Sequence, residues 1–314
     1  YLKYYENAKQ KTNTEIREMV INAYGNVLLA EESIAILEKN KATLSKTLSD
    51  TEETYKNGLI EEENVEQLQI TLATINSNLN NTKRLLDVAT KMLKYSLGIS
   101  LDADLKLTDK LDNLSMSNMD IALNSNGFTV AENIDYQMIK NLEEQRSLEL
   151  KLEKSRALPS LAANANFGYN AFSNEFAFFT QNQKWLNYSN LGVSLNVPIF
   201  SSFGRKAKTQ QAKIALDQAK IQLTEVEQQL QLQYEKAKSD FEFSIEEYAT
   251  AKSNLNLAER IENKQQIKFT EGLSSSFDFS EAQRQLYSAQ QNYLQSMVNI
   301  INKKAALEKI INKN

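Results

Sequence analysis

The sequence predicts a mainly α fold with a small membrane-type β part: two long antiparallel coiled-coil hairpins and, between them, two amphipathic strands. Three observations carry this expectation. The 314 residues include only 8 Gly and 2 Pro, far below average usage, so few turns interrupt the chain. Apolar residues recur at alternating spacings of three and four along most of its length. Near residues 160–200 the period changes to two.

The first hairpin takes residues 1–98. Ile16, Val20, Ala23, Val27, Ala30, Ile34, Leu37, Leu44, Leu48, Thr51 and Tyr55, with Lys41 as an interruption, form one seam. An average period near 3.5 implies left-handed supercoiling. The seam stops at Asn57-Gly58, a helix C-cap signal. Val65, Leu68, Leu72, Ile75, Leu79, Thr82, Leu86, Ala89 and Leu93 then form a second helix, ending near Leu97-Gly98. Helices joined by so tight a turn run antiparallel.

The second hairpin, residues 201–314, repeats the device. Leu216, Ala219, Leu223, Val226, Leu230, Tyr234, Ala237, Phe241, Ile245, Tyr248, Leu255, Ala258 and Ile261 lead to Phe269-Thr270-Glu271-Gly272. Phe279, Ala282, Leu286, Ala289, Tyr293, Met297 and Ile300 follow. A helix from residue 205 to 270 would be about 100 Å long at 1.5 Å per residue. The hairpins align at an offset of 214 residues: Gly58 with Gly272, Leu59 with Leu273, Gln69 with Gln283, Leu72 with Leu286, Leu93 with Leu307. Copies of this size indicate duplication of a half-protein rather than a short solenoid.

Three regions lie between the hairpins. Residues 99–128 read as an irregular region packed on the side of the helices. Residues 129–158 read as a helix stopping before Pro159. Residues 159–200 read as two strands. In the first, Leu161, Ala163, Ala165, Phe167 and Tyr169 share one face, opposite Ala162, Asn164, Asn166, Gly168 and Asn170. In the second, Leu191, Val193, Leu195, Val197 and Ile199 oppose Asn190, Gly192, Ser194, Asn196 and Pro198. About ten residues with dyad alternation suit a transmembrane β-barrel strand. Phe167, Tyr169, Tyr188 and Phe200 fall where an aromatic girdle would lie. The linking loop carries Phe172, Phe176, Phe178, Phe179 and Trp185. A half-buried soluble hairpin would alternate in the same way. The absence of Lys and Glu from the polar face, and of another apolar layer to cover, favour the membrane. Two strands cannot close a barrel, and an open edge is not tolerated in lipid. The missing strands are expected from other subunits and from a part preceding Tyr1, where the repeat places their counterparts; the chain reads as N-terminally incomplete.

Composition excludes several chemistries. With no His and no Cys there is no imidazole base, Ser-His-Asp triad or thiolate. There is no Gly-rich phosphate loop and no carboxylate cluster at metal spacing, so no cofactor or metal is expected. The net charge of −4 gives no general attraction to nucleic acid. Mean hydropathy is −0.49, and no apolar run approaches the ~18 residues of a transmembrane helix.

The ordered motifs resemble the TolC-type outer membrane efflux protein family (outer membrane factors). They are the tip turns Tyr55-Lys-Asn-Gly58-Leu59 and Phe269-Thr-Glu-Gly272-Leu273, and the helix starts Asn64-Val65-Glu66-Gln67 and Asp278-Phe279-Ser280-Glu281. Ala157-Leu158-Pro159-Ser160-Leu161 leads into the strands, and Val197-Pro198-Ile199-Phe200-Ser-Ser-Phe-Gly204-Arg205 leads out of them. The resemblance implies no enzymatic activity. It implies a homotrimer in the outer membrane of a Gram-negative bacterium. Its twelve-stranded β-barrel would continue into an α-barrel, a helical tunnel across the periplasm, with residues 99–128 as its equatorial region. It also implies a passive conduit working with a periplasmic adaptor and an inner-membrane transporter.

Site residues follow from the same resemblance. Asn57, Gly58, Leu59, Glu271, Gly272 and Leu273 match the family's adaptor-docking tips. Asp278 and Glu281 match two acidic positions ringing the periplasmic aperture, and Asn64 stands where Asp is familiar. Locking Tyr and Arg positions hold Phe269 and Ser274 here. From the residues alone, Asp278 and Glu281 share a helix face and would equally stabilise a helix N-terminus. Glu61-Glu62-Glu63 reads as a solvated first turn, and Arg205 and Lys206 as flanking the membrane interface. Three other architectures use long helices. A helical pore-forming toxin with a β-tongue gives no reason for the duplication. A periplasmic coiled-coil adaptor would need flanking β domains, and a soluble scaffold leaves the strands unexplained.

Overall fold

A computed structural model describes residues 2–119, 128–174, 176, 179 and 184–312. Tyr1, residues 120–127 of the equatorial region and Phe178 of the loop lie outside the described residues. The chain forms two compact units, residues 1–138 with 226–314, and residues 139–225.

The first unit is built on four helical segments. α1 (Leu2–Lys56) and α2 (Glu62–Leu97) are antiparallel; α6 (Ser276–Ile310) packs on both, and the C-terminal part of α5 (Gly204–Thr270) packs on α6. Seam residues cluster as the 3.5 period requires. Val20, Ala23 and Val27 meet Leu86, Ala89 and Leu93; nearer the tips Leu37 and Leu44 meet Leu68, Ile75, Leu79 and Phe279. Ile16, counted in the seam, is 45 % exposed, because the hairpin's apolar pairing ends above it. The most apolar eighteen residues of α1 reach a mean hydropathy of 1.2. This is more apolar than the sequence reading allowed, and its apolar residues serve the helix–helix seams.

α6 is buried on two sides. Besides the expected seam, Leu294, Val298, Ile301, Ala305 and Leu307 are buried, with Ser276, Ser280, Gln283 and Ser296. Leu28 of α1, Phe241 and Tyr248 of α5, and Met297, Val298 and Ile301 of α6 share one core cluster. The irregular region contains a short helix, α3 (Leu111–Asn118), that the sequence reading left unassigned. Leu111 is buried in that same cluster. Tyr24 donates to Asp109 Oδ2 at 2.7 Å, and the Tyr248 and Tyr293 hydroxyls lie 3.2 Å apart. Burial and the neighbouring Asp109 carboxylate push the Tyr24 phenol up to about 12. A 3₁₀ turn (Val130–Glu132) precedes α4 (Ile134–Ser155), so the helix starts later than expected.

The second unit holds the rest of α4, the β hairpin and the start of α5. β1 (Ser160–Ala171) and β2 (Trp185–Asn196) pair antiparallel. Their register joins like faces: Leu161 opposite Leu195, Ala163 opposite Val193, Ala165 opposite Leu191, and Asn166 opposite Asn190. β2 starts earlier than expected and ends before Pro198, leaving Val197 and Ile199 beyond it; proline lacks the N–H that would extend the ladder. Tyr188, near the start of β2, lies opposite Gly168 on the polar face, whereas Phe167 and Tyr169 lie on the apolar one. After β2, Ser202 and Phe203 take left-handed φ values of 47° and 64°. Arg205 donates back to the Pro198 carbonyl at 3.4 Å from each terminal nitrogen, a local tie absent from the sequence reading.

Candidate functional site at the hairpin tips

The two tip turns have the same construction. α1 ends at Lys56 and α5 at Thr270; α2 starts at Glu62 and α6 at Ser276. Both pairs of positions keep the repeat offset. Gly58 and Gly272 have φ values of 71° and 70°, the left-handed region that glycine enters without a Cβ penalty. At the first tip, Leu59 N–H donates to the Thr54 carbonyl at 3.2 Å and Gly58 N–H to Tyr55 at 2.8 Å. At the second, Leu273 donates to Lys268 at 2.7 Å and Gly272 to Phe269 at 3.1 Å. These are Schellman closures, which satisfy the last helical carbonyls. The closure turns Leu59 and Leu273 outward, 75 % and 77 % exposed. Asn57 and Glu271 precede the glycines as exposed polar residues.

Both tips lie at one end of the first unit, held by side chains near the start of α2. Asn64 Oδ1 accepts from the Ser276 N–H at 3.3 Å, and the Thr71 hydroxyl donates to Ser280 Oγ at 3.3 Å. Ser276 opens α6, so its N–H has no partner within the helix. Asn64 therefore caps the neighbouring hairpin's helix. Its own Nδ2 donates to the Glu61 carbonyl at 3.4 Å.

Asp278 sits in a reciprocal cap. Its N–H donates to Ser275 Oγ at 3.1 Å, and the Ser275 hydroxyl lies 2.8 Å from Asp278 Oδ2. This resembles a capping box, with Asp at the third helical position instead of Glu. Ser274 Oγ stands 3.2 Å from Gln265 Oε1 and 3.4 Å from Asp278 Oδ2. Glu281 lies one turn further on and pairs with Arg284, an i,i+3 partner the sequence reading passed over. The two carboxylates thus differ: one caps a helix, the other is charge-compensated. Phe269 stacks on buried Phe279, with ring centroids 5.4 Å apart and planes at 9°.

Above the tips, α6 presents Gln283 and Tyr287 to Glu262 of α5. Burial raises the Glu262 carboxyl, and a hydrogen bond from Gln283 acts against the rise. Burial also raises the Tyr287 phenol, with the Glu262 charge adding to it. Gln283 is 2 % exposed and its Oε1 has no partner. Sequence periodicity missed Gln283 because a buried amide contributes nothing to an apolar seam. Phe277, 59 % exposed beside the second tip, was also passed over.

A sequence profile described as outer membrane efflux protein matches residues 132–313. No curated protein matches the chain. Among solved structures, the outer membrane protein VceC of Vibrio cholerae is similar at a TM-score of 0.79 and 15 % identity, over 99 % of this chain and 72 % of that one. CusC, described for its transmembrane channel formation, is similar at 0.82 and 15 %, over 98 % and 70 %. The CmeC outer membrane channel of Campylobacter jejuni is similar at 0.78 and 15 %, over 98 % and 65 %. These likenesses establish a shared fold, mainly helical with a small two-stranded sheet. With the profile spanning more than half of the residues, the chain belongs to the outer membrane efflux protein family.

Proposed function

We propose that the protein is a passive exit duct of the outer membrane, the outlet of a tripartite efflux or type I secretion system. Three copies form it. β1 and β2 contribute to a twelve-stranded barrel in the lipid, and the helical hairpins form an α-barrel reaching through the periplasm. A periplasmic adaptor docks at the tips and links the duct to an inner-membrane transporter. The observation that carries this reading is the pair of matching turns at one end, each projecting an exposed leucine. Two such turns per copy give, under three-fold symmetry, six similar contacts for a partner, three of each kind. Asn57, Gly58 and Leu59 form one contact, and Glu271, Gly272 and Leu273 the other, with Phe277 beside it.

The bare β hairpin supports the membrane assignment. Its residues are exposed on both faces apart from Gly168, Ala171 and Gly192, which are half-buried. One face is mostly apolar and the other mostly amides and hydroxyls, with Asn187, Ser189 and Leu186 as exceptions toward the loop; this is the division between lipid and a wet lumen. α2 supports the trimer. Leu85, Val88, Met92 and Tyr95, spaced three, four and three apart, are 53–76 % exposed. That is a second coiled-coil stripe left exposed among the described residues.

The gate lies at the tips. Asp278 and Glu281 each become a ring of three carboxylates, which attracts cations. Arg284 offsets the Glu281 ring, so Asp278 dominates. Asn64 holds the closed arrangement by capping α6. In planar bilayers, Asp278→Asn with Glu281→Gln should weaken cation block of conductance. Unchanged block would remove both residues from the role. Leu59→Ser with Leu273→Ser should abolish cross-linking to the adaptor while trimers persist; retained cross-linking would refute the docking contact.

A further inference from the structure

On the polar face of the β hairpin, the register sets Tyr188 directly opposite Gly168. A Cβ at residue 168 would stand 2.8 Å from Tyr188 Cε1, 2.9 Å from Oη and 3.0 Å from Cζ. Near-equal distances to three atoms at the far end of the side chain mean that the ring lies across the glycine. It covers Gly168, which is half-buried while both of its neighbours are exposed. Cross-strand aromatic–glycine pairing of this kind fixes an otherwise free ring against the sheet.

The company on that face makes the ring distinctive. Ser160, Ala162, Asn164, Asn166 and Asn170 of β1 share it with Leu186, Asn190, Gly192, Ser194 and Asn196 of β2. None carries a charge, and none is aromatic. Phe167, Tyr169 and Trp185 all lie on the opposite face. Tyr188 is therefore the single aromatic surface on the polar face among the described residues.

We propose that Tyr188 is a cargo contact in the pore: a ring held flat on the barrel wall by Gly168, close to the loop end of the strands, that receives aromatic organic cations. The inference rests on the barrel reading above, which makes the polar face the lumen. The amides and hydroxyls of that face offer a hydrated cation only what water already offers, and its aliphatic Ala162 and Leu186 offer it no π face. A π face adds stacking and cation–π attraction, and three-fold symmetry places three such rings at one level.

Ethidium applied from the extracellular side of the whole protein in planar bilayers is the probe. Tyr188→Ala should weaken its block about two- to fivefold, the range of an exposed cation–π contact. Tyr188→Phe should keep the block, and Tyr169→Ala, on the opposite face, should leave it unchanged. The chain has no Cys, so Tyr188→Cys introduces the chain's sole thiol. A membrane-impermeant methanethiosulfonate should modify it and spare Tyr169→Cys. Block indifferent to Tyr188→Ala, or modification of Tyr169→Cys instead, overturns the contact while leaving the duct reading intact. A wild-type protein that opens no channel overturns the duct reading and the contact together.

Discussion

Glu262 has the least accommodating surroundings of any carboxylate near the tips. Burial raises its pKa, and the Gln283 amide offsets only part of that rise. Tyr287, on the helix packed against it, is the titratable neighbour, itself raised and so neutral across this range. A raised carboxyl pKa means that the folded state favours the proton. This stabilising contribution is complete below the usual carboxyl value of about 4.3. It is lost as pH rises through the folded-state value. The second hairpin should therefore exchange its amide hydrogens more slowly at pH 5 than at pH 7.5 after correction for intrinsic rates. Glu262→Gln should remove that difference. At pH 7.5 it should also stabilise the hairpin by about 1 kcal/mol, because a neutral amide can donate to the orphaned Gln283 Oε1. Equal pH dependence in the variant would show that another group titrates. Gly272 gives a second residue-scale expectation. A Cβ there meets nothing within 4 Å, so Gly272→Ala acts through the left-handed φ alone, costing about 1–2 kcal/mol. Gly272→Asn should cost less, read as the ordering of hydrogen-exchange rates at the tip.

At the scale of elements, the first hairpin is closed by apolar contacts, and its tip contacts to the second combine the buried Phe279 with polar pairs. Leucines and isoleucines close α1 on α2, and α2 meets α6 through Phe279 in that same cluster and through Asn64–Ser276 and Thr71–Ser280. α1 meets α6 partly through Asn40–Gln290 at 2.8 Å and Ser33–Gln291 at 3.2 Å. Apolar seams lose their full burial when they open, whereas hydrogen bonds between small polar groups exchange with water at a net cost of about 1 kcal/mol each. The polar pairs at the tips should therefore open before the apolar clusters do. Asn64→Ala strands the Ser276 N–H and should raise the frequency of channel opening in bilayers; Asn64→Asp, still an acceptor, should not. Thr71→Val with Ser280→Ala replaces both partners with apolar groups of similar shape. It should leave stability near the wild-type value and prolong the closed state. The difference in chemistry also explains what could be read from sequence. The hairpins, the tip glycines and the strand faces all follow from apolar periodicity and backbone rules. The second buried side of α6 does not, because Ser276 and Ser280 look like surface residues until α2 is laid against them, and Gln283 until Glu262 of α5 is. Asn64 stands near the tip by its place in the repeat, but its partner lies 212 residues away, beyond any local pattern. Arg284 is within reach of the i,i+3 rule, and the face of Tyr188 follows from alternation with Asn190, Gly192 and Ser194 once β2 is extended back to Trp185.

For the whole molecule, the unpartnered surfaces define what assembly must cover. The α2 stripe Leu85, Val88, Met92 and Tyr95 touches little in its own chain, yet it has the spacing of a buried seam. α5 carries exposed apolar residues as well: Phe243, Leu257 and Ile261, between 41 % and 63 % exposed. Left in water, these stripes would favour aggregation; joined between copies, they would close a ring without adding a second kind of interface. In the proposed trimer, α2 of one copy lies against α5 of the next. Val88→Asp with Met92→Asp then places six buried carboxylates in the assembly and none in the isolated hairpin. Each unpaired charge moved out of water costs several kcal/mol, so the variant should lose the trimer and keep its helices. Size-exclusion chromatography with light scattering in detergent reads the first outcome, and circular dichroism the second. Trimers that persist with unchanged helicity would show that the stripe faces solvent or another partner, and the subunit seam would have to be sought elsewhere on the α-barrel. Loss of helicity together with the trimer would show that the stripe supports its own hairpin, contrary to its exposure.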